Sequence, residues 1–384
     1  MEPEQQTWIA CLTPPGRSAI ATLGIRGPDG WRVVRELFQP ARGQLPEEPE
    51  AGQLWFGRLG EEGTGSRDEV VLAVRQAAPR LSIEVHCHGG PEVIRLLLEV
   101  FAARGIKSCS WMEWEERTGT DTLSSLARVA LAETPTVRTA AIVLDQLHGA
   151  FARALASTQE ALREGRLAEA NKYLTDLAAH CPLGRHLSKP WRVVIAGATN
   201  VGKSSLVNAL AGYQRSVVDP TPGTTRDVVT TLTAIDGWSV ELADTAGWRP
   251  QPEALELQGL DLARTAIEEA DLCLWVLDGA ARPVFPERQA INLHFVINKI
   301  DLPAAWNWAD VPDALLLSAK TGNGVAELCQ MVSRRLVPDP PDAGTAIPFA
   351  HSLCDHVETA QRLLSKGCVL EALGCLWDLS KSEG

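Results

Sequence analysis

"GATNVGKSSL", residues 197–206, stands between the apolar run "WRVVIA" and "VNALAG". A glycine, four residues, then Gly-Lys-Ser is the phosphate-loop pattern, here with the strand before it and the helix after it that the pattern requires. Glycines let backbone N–H groups close around phosphate oxygens, and the helix N-terminus adds a favourable dipole. On this reading Asn200, Val201, Gly202, Lys203, Ser204 and Ser205 line a nucleotide. Lys203 reaches the β- and γ-phosphates, and the Ser204 hydroxyl ligates Mg²⁺.

Three further motifs follow in order, each at the end of an apolar run. "DTAG" (Asp244, Thr245, Ala246, Gly247) closes "WSVELA". Its aspartate is placed to hold a magnesium-bound water and Gly247 to offer its N–H to the γ-phosphate. "NKID" closes "LHFVI", with Asn298, Lys299 and Asp301. The two oxygens of Asp301 receive the ring and exocyclic N–H groups of guanine, a donor pair that adenine lacks. The Lys299 stem covers the base. "SAK" (Ser318, Ala319, Lys320) follows "ALLL" and supplies backbone to the base oxygen. Together the motifs imply GTP as the nucleotide and its hydrolysis as the activity.

Between the loop and DTAG lies "TPGTTRD", residues 221–227. Of its threonines Thr224 and Thr225, the second is expected to close over Mg²⁺ and the γ-phosphate as a switch segment; an ordinary Pro-Gly turn is the alternative. In Ras-like proteins a glutamine directly after DxxG orients the attacking water. Trp248 stands there and has no carboxamide. Glu256 is the candidate replacement, with Glu253, Glu268 and Glu269 competing in the same stretch.

The rest of the 384 residues fits a multidomain α/β chain. Residues 1–118 mix short β-rich runs ("IATLGI", "EVVLAV", "LSIEVH") with turn clusters and a helix at about 91–104, an α+β domain. Residues 119–190 have helical spacing, broken at Pro135. Residues 191–335 alternate strands and helices, and residues 336–384 return to helical spacing after a Pro-rich linker. The expected architecture is a helical domain interrupted by a Ras-like P-loop GTPase domain.

A net charge of −12 argues against broad adhesion to nucleic acid, while leaving room for a local basic patch on a particular RNA. No apolar run is long enough to span a bilayer, and the opening residues lack a leader pattern. The nine cysteines are odd in number and without CxxC pairs. A cytoplasmic protein with reduced thiols and no membrane contact is expected. "HCHGG" (residues 86–90) could begin a zinc site, but strand alternation sends Cys87 away from the two histidines and no second cluster has suitable spacing. A strand end with a glycine turn is the preferred reading there. The tryptophan-rich "WMEW" and "WNW" read as packing rather than base-stacking features.

"ACLTPPGRSAIATLGIRGP", "EVHCHGGPEVIRLLLEV", "GATNVGKSSLVNAL", "PGTTRD" and "DTAGWR" together resemble the MnmE (TrmE) family of tRNA-modification GTPases. The resemblance implies an N-terminal folate-binding and dimerising domain, a helical domain interrupted by the G domain, and a homodimer. It implies GTP hydrolysis together with an MnmG (GidA)-like flavoprotein, in modification of the tRNA wobble uridine. It also implies potassium ligated by Asn200 in place of an arginine finger, Glu256 as the catalytic glutamate, and Glu84 as the acidic contact of a tetrahydrofolate derivative.

The sequence departs from the family at the folate side. Gly24 stands where the folate-contacting arginine falls, and the family's PGEFTxRAF segment survives only as "WMEWEERTG". The closing "LWDLSKSEG" does not carry the family's Cys-x-Gly-Lys motif. These departures raise an alternative, a regulatory GTPase switch without folate-dependent tRNA modification. An Era-like ribosome-assembly GTPase would want a basic RNA-binding domain after the G domain, and the short final segment has none.

Overall fold

Two compact units, Met1–Thr120 and Asp121–Gly384, make up the chain. The structure is a computed structural model that describes residues 6–61, 67–119, 121–213, 230–244, 268–286, 292–377 and 379.

The first unit holds strands β1 (Trp8–Cys11), β2 (Ile20–Arg26), β3 (Phe38–Pro40), β4 (Leu54–Gly60), β5 (Arg67–Gln76), β6 (Ser82–His88) and β7 (Lys107–Ser108). They form one sheet in the order β3-β4-β5-β6-β2-β1-β7. The pairs are antiparallel except for β1 with β7. Alternation decides the faces. In β6, Ile83, Val85 and Cys87 are buried while Glu84, His86 and His88 face the other way.

Against the apolar face lie α1 (Gly30–Leu37) and α2 (Pro91–Ala102). The second helix starts at Pro91, where a missing N–H costs nothing. It buries Leu97, Val100 and Phe101, each contributing about 1.5–3 kcal/mol through removal from water. A third helix, α3 (Trp111–Thr118), opens with a reciprocal cap between Ser110 and Glu113 and packs against β1. Its Trp114 is buried beside Gly24.

The second unit begins with α4 (Thr122–Glu133), α5 (Val137–Leu147), α6 (Ala150–Arg163), α7 (Leu167–Ala179) and the short α8 (Cys181–Gly184). Pro135 lies between α4 and α5, and the Thr136 side chain caps α5. A second sheet follows, with β8 (Trp191–Gly197), β9 (Thr230–Ile235), β10 (Trp238–Asp244), β11 (Leu272–Asp278), β12 (Leu293–Asn298) and β13 (Leu315–Leu316). Its order is β13-β12-β11-β8-β10-β9, parallel throughout except for β9. Helices α9 (Lys203–Tyr213) and α10 (Val325–Leu336) pack with it. Two more helices follow, α11 (His351–Ser365) and α12 (Val369–Trp377).

These last helices lie on the earlier ones, α11 on α7 and α12 on α6. Arg185 spans the two sequence-distant segments, donating to Glu358 at 2.8 and 2.9 Å and to Asp355 at 2.9 Å. Buried Gln146 of α5 is satisfied entirely by backbone. It donates to Ile142 and Thr345 and accepts from Ile347 N–H. The two-residue turn between β9 and β10, Asp236 and Gly237, has positive φ at both positions, as a tight hairpin requires. Thr136 and Arg138 of the α5 start hold its carbonyls, at 2.7 Å to Gly237 and 2.6 Å to Asp236.

Candidate functional site

Five parallel strands end at one edge of the second sheet, and the phosphate loop, Asp244, Asn298 and Ser318 lie at that edge. In an open α/β sheet ligands bind outside the carboxyl ends of the strands. Strand β8 ends at Gly197, whose φ is +141 and whose Cβ, if present, would overlap the Val276 carbonyl oxygen. The chain therefore leaves β8 hard against β11, which only glycine allows. Gly202, with φ +98, is the second such point, since a Cβ there would overlap Asn298 Nδ2.

Lys203 starts α9 with its ammonium turned back into the loop, donating to Gly197 O at 3.0 Å and Ala198 O at 2.8 Å. It is 7% exposed. A positive charge so placed is aimed where phosphate oxygens belong. The Ser204 hydroxyl donates to Asp244 Oδ2 at 2.6 Å. A hydroxyl and a carboxylate thus converge at the loop, oxygen donors of the kind Mg²⁺ takes. Asn200 and Ser205 are exposed, whereas Val201 is buried. Asn200 holds a left-handed backbone, φ +65.

Buried Asn298 ties two motifs together. Its Nδ2 donates to Val201 O and its Oδ1 accepts from Ala319 N, both at 2.9 Å. Next to it Lys299, also left-handed at φ +67, donates to Asn200 O at 2.7 Å. Ser318 is fully buried, and its hydroxyl donates to Asp301 Oδ1 at 2.6 Å. That bond, with the charges of Lys320 and Lys299, holds the exposed Asp301 carboxyl below its usual range. An ionised, oriented carboxylate is therefore present where a guanine edge would be read.

Thr224, Thr225, Thr245, Ala246, Gly247, Trp248, Glu253 and Glu256 lie outside the described residues. Two rivals of Glu256 are placed, however. Glu269 pairs with Arg192 at the start of β8, a strand length of about 20 Å from the loop, and Glu268 adjoins it. Neither stands where a water beside the phosphates could be oriented. At the same strand edge as the motifs the structure adds a carboxylate outside the four of them, Asp278. It closes "LCLWVLD" much as Asp244 closes "WSVELAD", which was its signal in the sequence.

In the first unit, Glu84 pairs with Gly24 across β6 and β2. Its Oε2 is 2.7 Å from Arg75 Nη2 and 3.4 Å from His86 Nε2. A Cβ on Gly24 would lie 2.7 Å from Trp114 Cζ2. The residues present therefore do not fit the arginine-and-glutamate pair expected for folate. His88 pairs with Asp68 at 2.5 Å, and no metal-holding group of three or more His, Cys, Asp or Glu occurs among the described residues. The tryptophans read as packing features do pack, Trp114 against Gly24 and Trp306 and Trp308 against the end of β11.

A sheet of five parallel strands and one antiparallel strand, carrying the phosphate loop, Asp244, NKID and SAK along one edge, defines a P-loop GTPase. A family model described as "50S ribosome-binding GTPase" matches residues 192–303, and one described as "GTP-binding protein TrmE N-terminus" matches residues 7–118. The tRNA modification GTPase MnmE of Koribacter versatilis is 31% identical over 374 residues, 85% of this chain and 81% of that one. A Thermus thermophilus protein of the same name is 30% identical, covering 85% of this chain and 82% of its own. Among solved structures, the G domain of the T. maritima FeoB iron transporter matches at 23% identity and a TM-score of 0.29, over 38% of this chain and 98% of that one. The chain belongs to the family of the tRNA modification GTPase MnmE. No described helix is long and apolar enough to cross a membrane.

Because Asp301 can pair with guanine and not adenine, the protein is expected to bind GTP far more tightly than ATP. Asp301→Asn should lose that preference in competition binding; a variant that keeps the wild-type ratio removes Asp301 from base recognition.

Proposed function

We propose that the chain is a cytoplasmic, potassium-dependent GTPase that works as a homodimer, with an MnmG (GidA)-like flavoprotein, in modification of the tRNA wobble uridine. The observation that carries the reading is the Asp301 carboxylate, clasped by Ser318 on the same strand edge as Lys203, Ser204 and Asp244. Family membership supplies the tRNA side of the argument.

In this reading Lys203 binds the β- and γ-phosphates while the loop N–H groups of 200–205 surround them. Ser204 and Thr225 hold Mg²⁺, with Asp244 acting through water, and the metal supplies charge neutralisation at the phosphates. Lys299 takes up the backbone carbonyl of Asn200, which leaves the exposed carboxamide of that residue as a potassium ligand. Potassium there supplies the positive charge that an arginine finger supplies elsewhere. Glu256 orients the attacking water in place of a glutamine, since Trp248 has no group to do so. Lys299 covers the base, Asp301 reads its N–H edge, and Ser318, Ala319 and Lys320 line its oxygen.

The domain reading goes with it. Residues 191–335 form a G domain set into a helical domain of 119–190 and 336–384, after an N-terminal domain of 1–118. Support comes from α11 on α7, α12 on α6, and Arg185 between Glu358 and Asp355. A second reading, a regulatory GTPase without folate chemistry, is favoured by Trp114 against Gly24 and by the Arg75–Glu84 pair.

Deletion of the gene should remove the wobble-uridine modification seen by mass spectrometry of bulk tRNA. An unchanged nucleoside profile in a strain without another family member decides for the regulatory reading.

GTP turnover per molecule is expected to rise with protein concentration and to require potassium over sodium. Turnover flat in both variables defeats the dimeric, potassium-assisted mechanism.

Isolated protein should bind formyl- or methylene-tetrahydrofolate weakly or not at all. Charge-assisted contacts contribute about 1.5–3 kcal/mol each, so losing two or three lowers affinity by about a thousandfold or more. Low-micromolar binding by calorimetry would restore the folate-dependent mechanism.

A further inference from the structure

We propose that Asp278 is a positioning residue for guanine-nucleotide binding. Its carboxylate fixes the Lys299 ammonium against the phosphate loop, and the indoles of Trp306 and Trp308 brace the Asp278–Gly279 turn from behind. The proposal rests on the reading of residues 298–301 as the base-recognising segment and adds to it the support that segment needs.

The geometry is a three-way junction. Lys299 Nζ lies 2.6 Å from Asp278 Oδ2 and 2.7 Å from Asn200 O, so one ammonium joins the ends of β11 and β12 to the phosphate loop. The Asp278 side chain is 13% exposed, and its other oxygen accepts from Ala280 N at 2.9 Å. The carboxylate is therefore fixed by its own turn before it meets the lysine. A lysine stem has four rotatable carbons and loses much rotamer freedom when ordered. Two partners on the ammonium select one path for the stem, the path along which the base would lie. Lys299 is also held at φ +67, a conformation that a side-chain-bearing residue keeps only where neighbours impose it.

The brace comes from the "WNW" stretch. Trp306 Nε1 donates to Asp278 O at 2.8 Å and Trp308 Nε1 to Gly279 O at 3.2 Å. Ala305 N donates to Gly279 O at 3.1 Å. A Cβ on Gly279 would sit 3.0 Å from the Trp308 ring, so glycine lets the indole close on the turn. Both carbonyls of the turn that carries Asp278 are thereby pinned by a loop directly downstream of Asp301. The base-reading Asp301 and the indoles that brace the turn come from one continuous stretch, 298–308, folded back on the end of β11.

The test measures GDP and GTP affinity of the full chain with fluorescent nucleotides, together with kcat and KM for GTP. Asp278→Asn should raise the Kd for GDP about tenfold, the loss expected when a charged hydrogen-bond partner of a binding group is removed. KM should rise with it while kcat at saturating GTP stays within about twofold. Asp278→Glu should recover most of the affinity, and Trp306→Phe, which keeps an aromatic ring but loses the donor, should show an intermediate rise. Wild-type Kd in Asp278→Asn alongside clear GDP selectivity in the parent overturns the proposal alone. A parent that binds ADP as tightly as GDP overturns the reading of 298–301 and this proposal with it. A fall in kcat at unchanged Kd also overturns it. Should Asp278→Asn fail to fold, Trp306→Phe decides, and unchanged GDP affinity there counts against the proposal.

Discussion

The side chain of Asn298 is the contact on which the nucleotide edge depends. It is 2% exposed, and both ends of its amide are used, one on Val201 O and one on Ala319 N. A buried amide left half-satisfied costs about 1–3 kcal/mol, so the phosphate loop and the SAK segment are held at fixed separations from one rigid point at the end of β12. Neither segment is a regular element that could hold itself there. The same packing explains Gly202, because the amide occupies the space that any Cβ at 202 would need. One polar side chain and one missing methyl group therefore set the distance between phosphate and base recognition.

Charge placement follows from that frame. Lys203 and Lys299 both turn their ammonium groups onto loop carbonyls, of Gly197 and Ala198 in one case and Asn200 in the other. Partly buried cations need such partners, since desolvation without them costs several kcal/mol. Asp244 accepts from Ser204 and Asp278 from Lys299, so neither carboxylate is left without a partner either. Positive charge lies inside the loop and negative charge at the strand ends around it. That distribution suits a bound polyphosphate approached by a divalent cation.

Much of this edge was legible in the sequence because its constraints are local. "WRVVIAG" spans the same residues as β8, and "KSSLVNALAG" falls within α9. Pro91 opens the helix expected at about 91–104, which ends at Ala102. The histidine–cysteine alternation in "HCHGG" was also readable, because a strand has a period of two. Short pieces carried no such signal: β3, β7 and the eight-residue α1 are too brief for periodicity to rise above chance. Glu268 and Glu269 looked equivalent to Glu256 by spacing alone. Only the parallel register of β11 on β8 puts them at the opposite end of the sheet.

The first unit shows the limit of motif reading most clearly. In the sequence Gly24 is only the place where the family resemblance implies an arginine, which says nothing of what fills the space. In the structure the space belongs to Trp114, some ninety residues later, carried by a helix that its Ser110–Glu113 cap holds at its start. A side chain at 24 would have to displace a buried indole whose ring atoms lie 2.7 and 3.1 Å from the Cβ position. Glu84, directly opposite on β6, is bound by Arg75 of the neighbouring strand. Gly24 and Trp114 of "WMEWEERTG" are thus one packing solution, and the Glu84 carboxylate opposite is taken up separately by Arg75. An arginine at 24 would meet the Trp114 indole from its first carbon outward, so that side chain fits only if the indole moves.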